Sequence, residues 1–158
     1  MKDNILVLEA KQTNYEELRD IFFTVRRDTF HWTDPKELKL SDFDESTKDE
    51  LILAAFIKNK IVGFVSIWVP DKFIHNLFVL QDFQGKGVGT ALVNEAIKKV
   101  GLPLTLKCVK SNTKAFNFYK SHNWKIEKEE MGYEGLVHLN ISFISPKLFD
   151  YRYIKIFT

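Results

Sequence analysis

Gln84-Gly85-Lys86-Gly87-Val88-Gly89-Thr90 separates an apolar run, Phe73–Leu80, from a stretch with helical spacing. The run reads as a strand, and residues 81–84 as its connector. Val88, Leu92, Ala96 and Val100 then fall on one helical stripe, which Gly101 and Pro103 bring to an end. A helix N-terminus carries N–H groups with no intrahelical partner and the positive end of the helix dipole. Glycines ahead of it let the backbone turn tightly and approach a ligand, so those N–H groups converge on anionic oxygens. Lys86 and the Thr90 hydroxyl add a cation and a further donor. The segment is read as a phosphate cradle suited to a pyrophosphate; a plain turn needs fewer glycines.

Three loop patterns compete for it. The P-loop fails, because no Gly-Lys-Ser/Thr follows a four-residue gap. The dinucleotide fingerprint finds its first two glycines in Gly85 and Gly87 but Thr90 in place of the third. It also asks for an acid at the end of the next strand, which here closes on Val109-Lys110. The third pattern, Gln/Arg-x-x-Gly-x-Gly/Ala, is met in full by Gln84, Gly87 and Gly89.

Outward from the loop, Ile5–Leu8 reads as a first strand. Tyr15–Val25 reads as a helix with Tyr15, Leu18, Phe22 and Val25 on one face, capped by Asn14. Residues 30–50 read as irregular and polar. Leu51–Ile57 and Ile61–Val69 read as strands joined by Lys58-Asn59-Lys60, and Pro70-Asp71 breaks the chain. Leu104–Val109 is the next strand. Asn112 caps a helix over Thr113–His122, with Ala115, Phe118, Tyr119 and His122 at helical spacing. Lys125–Met131 and Leu136–Ile144 are strands joined around Gly132 and Gly135. The aromatic tail 146–158 is β-prone. This order describes one domain with a mixed α/β sheet and helices on its faces.

The segment Ile74–Gly89 together with Asn112-Thr113-Lys114-Ala115-Phe116-Asn117-Phe118-Tyr119 resembles the GNAT superfamily of N-acetyltransferases, whose second signature runs Asn-x-x-Ala-x-x-Phe-Tyr. The likeness is good over Leu51 to about Lys125 and rests on element order at the flanks. It implies a central, mostly antiparallel sheet in which parallel strands 73–80 and 104–109 splay apart. The third loop pattern is then that of acetyl-CoA, the expected cosubstrate, with no metal. The resemblance implies that backbone groups of Phe78 and Val79 pair with the pantetheine arm and acetyl carbonyl. Gln84, Gly85, Lys86, Gly87, Val88, Gly89 and Thr90 would hold the pyrophosphate, and Asn112 would be a side-chain ligand to the arm.

Acetyl transfer needs a neutral amine, a donor to the thioester oxyanion and a proton for the leaving thiolate. Tyr119 stands where the family's proton donor sits; on spacing alone it is a core aromatic. His75 titrates near neutrality and matches a His-x-Leu-x-Val pattern of the arylalkylamine branch, which makes it the candidate base. The branch acting on protein N-termini has a glutamate where this chain has Lys107. The acceptor is expected to be a primary amine of a small molecule or peptide, walled by the 22–50 region. Seven acids and three lysines lie between Asp34 and Glu50, read either as an attractor for cations or as a solvated face.

Composition limits the alternatives. The 23 basic and 21 acidic residues give a net charge of +2, too balanced to favour nucleic acid or an anionic membrane as partner. No apolar stretch approaches the ~20 residues of a membrane span, and the N-terminus does not read as a signal peptide. Cys108, the single cysteine, reads as a buried structural thiol. A cytoplasmic monomer or homodimer is expected. A catalytically silent acyl-CoA-binding regulatory module and an NAD-dependent oxidoreductase are the alternatives.

Overall fold

The computed structural model describes residues 3–132 and 135–144; the expectation for the tail lies outside them. The described residues fall into two compact units that divide between Val100 and Gly101.

The first unit orders four antiparallel strands as β1 (Leu6–Glu9), β2 (Leu51–Ile57), β3 (Lys60–Trp68) and β4 (Phe73–Val79). Lys58 and Asn59 both take positive φ between the paired residues Ile57 and Lys60, the geometry a two-residue hairpin loop requires. Helix α1 (Tyr15–Thr29) and the short α2 (Asp42–Ser46) pack on one face. Leu18, Phe22, Phe43, Ile52, Ala54 and Phe64 form that core. Helix α3 (Val88–Val100) lies against β2, β3 and β4 and covers the opposite face, where alternation sends Leu53, Ala55 and Val65. Burial on both sides explains why β2 and β3 are continuous apolar runs rather than alternating ones.

Three local expectations are corrected. Helix α1 continues past Val25 to Thr29, its last turn held by Arg26 and Arg27 at the negative end of the dipole. Asn14 sits at the N-cap, but its Oδ1 accepts from the Lys11 N–H and caps the preceding 3-10 turn instead. The 30–50 connector is not wholly irregular: it holds α2, anchored by the fully buried Phe43.

The second unit orders β5 (Leu104–Val109), β7 (Val137–Phe143) and β6 (Lys125–Met131), both pairings antiparallel, with α4 (Thr113–Ser121) after β5. Leu104, Leu106, Leu139 and Ile141 are buried, and β6 is almost wholly exposed. Glu130 on β6 accepts from Asn140, Lys107 and Lys128, which hold its carboxyl down at about 2. Lys107 thus belongs to an ion-paired sheet face.

Candidate functional site

In the first unit, β4 ends at Val79, and a 3-10 turn, Gln81–Phe83, leads into the glycine loop. Gly85 has φ 74° and Gly87 φ 88°, values that L side chains rarely adopt. A Cβ built on either would meet nothing within 4 Å, so the loop opens to solvent rather than packing against the protein. The Ala91 N–H bonds the Gly87 carbonyl at 3.0 Å, so the turn Gly87–Gly89 lies at the start of the α3 ladder, where a helix carries N–H groups with no intrahelical partner. Lys86 lies over the Phe83 ring at 5.3 Å, and Lys60 of β3 reaches the same ring at 5.6 Å. Lys60 is a second cation beside the loop that spacing along the chain did not reveal. This arrangement fits a pyrophosphate: backbone donors, two ammonium groups and unobstructed space.

Val79 and Phe78 are less simply available. The Gln84 side-chain amide donates to the Val79 carbonyl at 3.0 Å. The Phe78 carbonyl passes so close to Gly63 of β3 that a Cβ there would stand 2.6 Å from it. The Phe78 ring stacks on Phe22 at 5.3 Å and meets Phe30 edge-on at 5.8 Å, and Phe30 stacks on Trp32 at 4.8 Å. An aromatic wall therefore runs from α1 through the connector to β4.

His75 stands on a bulge of β4: Ser66 pairs with Asn76 and Ile67 with Ile74, which leaves His75 without a register partner. Its Nδ1 lies 2.9 Å from Glu50 Oε1. The ring is about half exposed, whereas the Glu50 side chain is 4% exposed. The hydrogen bond to Glu50 raises the His75 pKa above 6.5, helped by the Glu50 charge and the Ser46 backbone and opposed by burial. In the sequence Glu50 draws no notice, because it ends an acid-rich run that reads as solvated surface.

Three further acids of that run, Asp34, Asp42 and Asp44, are engaged internally. Arg19 makes a two-pronged contact with Asp44, both bonds at 2.8 Å, and Arg26 reaches Asp42 at 3.2 Å. The Asp42 carboxyl is held below its usual range by the Lys39 backbone and by Arg26, and that of Asp44 by Arg19. Asp34 accepts from the Lys36 N–H. The connector is thus stapled to α1 through Asp42 and Asp44.

In the second unit, Asn112 caps α4 as expected, its Oδ1 accepting from the Ala115 N–H at 3.3 Å. That bond engages the acceptor of a side chain expected to serve a ligand. Tyr119 is the buried residue of α4, its ring edge-on to Trp124 at 5.3 Å. Burial, with the neighbouring Cys108 adding, pushes the phenol far above its ordinary value, so it stays protonated. Burial likewise pushes the Cys108 thiol up to about 11, in keeping with an inert structural cysteine. Among the described residues, no group of three or more His, Cys, Asp or Glu is placed to hold a metal ion, and no helix is long and apolar enough to cross a membrane.

Residues 12–124 match the model of the acetyltransferase (GNAT) family. The chain belongs to that family. An uncharacterized N-acetyltransferase of Methanocaldococcus jannaschii is 38% identical over 86 residues, 46% of this chain and 38% of the relative. The chain thus matches less than half the length of that relative. The fold is similar to that of YjaB from Escherichia coli, solved as the apo form in solution: TM-score 0.73, 20% identity, 90% of this chain and 99% of that one. It is also similar to yncA from Salmonella typhimurium, solved with its cofactor acetyl-CoA: TM-score 0.70, 12% identity, 89% and 94% coverage. The mixed α/β fold is therefore that of the family.

Proposed function

We propose that this chain is an acetyl-CoA-dependent N-acetyltransferase that moves the acetyl group directly to a primary amine of a small molecule or peptide. The observation that carries this reading is the loop before α3, where Gly85 and Gly87 hold positive φ beside open space at a helix N-terminus. Backbone donors of the loop 84–90, other than the Gln84 N–H that closes on the Gln81 carbonyl, take the pyrophosphate with Lys86. Backbone groups of Phe78 and Val79, and the Asn112 side chain, take the pantetheine arm and the acetyl carbonyl. The Salmonella protein of similar fold was solved with this same cosubstrate.

The amine nitrogen attacks the thioester carbonyl, the C–S bond breaks, and the thiolate leaves with a proton. Tyr119 supplies that proton, and its raised pKa keeps it loaded across the neutral range. His75 takes the proton from the incoming ammonium above its own pKa. The aromatic wall of Phe30, Trp32 and Phe78 borders the acceptor. Purified protein given acetyl-CoA and a broad panel of amines is expected to release free CoA thiol. Binding without release across the panel favours a regulatory acyl-CoA module. Thermal stabilisation by NAD and none by CoA sinks the reading altogether.

A further inference from the structure

We infer that Glu50 is a positioning residue: it accepts from His75 Nδ1–H and turns the Nε2 lone pair of that ring outward to take the acceptor's proton. The inference rests on the acetyltransferase reading for its chemical meaning. Its geometry stands within the first unit alone.

Glu50 is delivered rigidly. The Thr47 hydroxyl donates back to the Phe43 carbonyl at 2.8 Å, Asp49 adopts φ 62°, and the Glu50 N–H closes on the Thr47 carbonyl at 3.0 Å. This turn after α2 places the carboxylate inside the protein, with Oε1 2.9 Å from His75 Nδ1 and Oε2 buried without a partner among the described residues. A carboxylate that gives up water for a single hydrogen bond costs stability, so its presence here calls for a use. The histidine is the exposed member and stands on a bulge, the device by which strands re-aim a side chain. Beside it Asn76 donates to Ser46 Oγ at 3.1 Å and Ser66 Oγ at 2.8 Å, which ties β4 to the end of α2 and fixes the frame. The hydrogen bond at one ring nitrogen decides which nitrogen carries the proton in the neutral form. A carboxylate at Nδ1 therefore leaves Nε2 as the acceptor. The groups that act on the ring are Glu50 and the Ser46 backbone, with the Phe73 ring 6.4 Å away.

Nitrogen-15 NMR of labelled histidine decides the geometry without any turnover. Wild type is expected to show His75 as the Nδ1–H tautomer at high pH, and Glu50→Ala to lose that preference. Glu50→Gln removes the charge, and the pH at which His75 loses its proton should fall by about half a unit or more. The acidic limb of kcat/KM, assigned with His75→Gln, should move to lower pH by the same amount, and kcat should fall about tenfold while the acetyl-CoA KM stays within about twofold. A purely structural glutamate would lower stability and leave the limb in place. An Nε2–H tautomer in the wild type, or an unmoved titration in Glu50→Gln, overturns the positioning role whether or not the chain turns over. The expected spectra with no acetyl transfer to any amine overturn the acetyltransferase reading instead, and with it the pair's role in proton transfer.

Discussion

The Gln84 amide donates to the Val79 carbonyl at 3.0 Å, so the first residue of the glycine loop is tied to the last residue of β4. The bridge closes the 3-10 turn 81–83 into a fixed bend and aims the loop. Gln84→Ala should cost about 1 kcal/mol of loop preorganisation and weaken acetyl-CoA binding about fivefold by calorimetry. An unchanged Kd would mean that the cosubstrate displaces the bridge at no net cost.

Gly87 has a positive φ and nothing beside it, so a larger residue strains the loop and fills the ligand site while leaving the core untouched. Gly87→Glu should keep the fold, read by circular dichroism, and abolish CoA binding by placing bulk and negative charge at the pyrophosphate. Binding within threefold of wild type would refute the loop assignment.

Tyr119→Phe keeps the ring against Trp124 and removes only the hydroxyl. Turnover should fall about a hundredfold, in line with loss of a general acid, while acetyl-CoA affinity holds. Unchanged turnover removes the acid role.

Gly63 answers a different constraint from the loop glycines. Its conformation is ordinary, but the Phe78 carbonyl and the Val79 Cα leave no room for a Cβ. Gly63→Ala must push β3 from β4 where the arm is proposed to pair. It should cost about 1–3 kcal/mol in urea unfolding and weaken acetyl-CoA binding together.

His75 is held above its ordinary 6.5 by the hydrogen bond to Glu50, so the pair favours the folded state below that value. The contribution is lost as pH rises through the raised folded value. The stability gap between wild type and His75→Gln should thus be widest near pH 5–6 and narrow toward pH 8. A gap that is flat with pH would show that the pair contributes nothing through protonation.

The glycine loop, the strands around it and the Asn112 cap were legible because each is a local signal: a spacing, a run or a cap beside the segment it serves. Helix α2 was not, since five residues around one apolar side chain, Phe43, give no period to read. Glu50 was hidden among acids, and its partner lies twenty-five residues along the chain. The bulge that re-aims His75 and the close pass of Phe78 over Gly63 depend on register between strands, which no single strand encodes. Lys60 meets Phe83 for the same reason.

The aromatic core of the first unit has a spectroscopic consequence. Its buried rings, Phe22, Phe43 and Phe64, are all phenylalanine, while the three tryptophans stand elsewhere. Trp68 is 40% exposed at the end of β3, Trp124 is buried against Tyr119, and Trp32 stacks on Phe30. Indole emission therefore reports on that core only from its margin, through Trp32 and Phe30. It carries three separable signals instead: Trp124 for the packing around α4, Trp68 as a solvent-facing reference, and Trp32 for events at the connector. Single-tryptophan variants retaining Trp32 would make an acceptor's arrival visible as a change in colour or intensity, with no label attached.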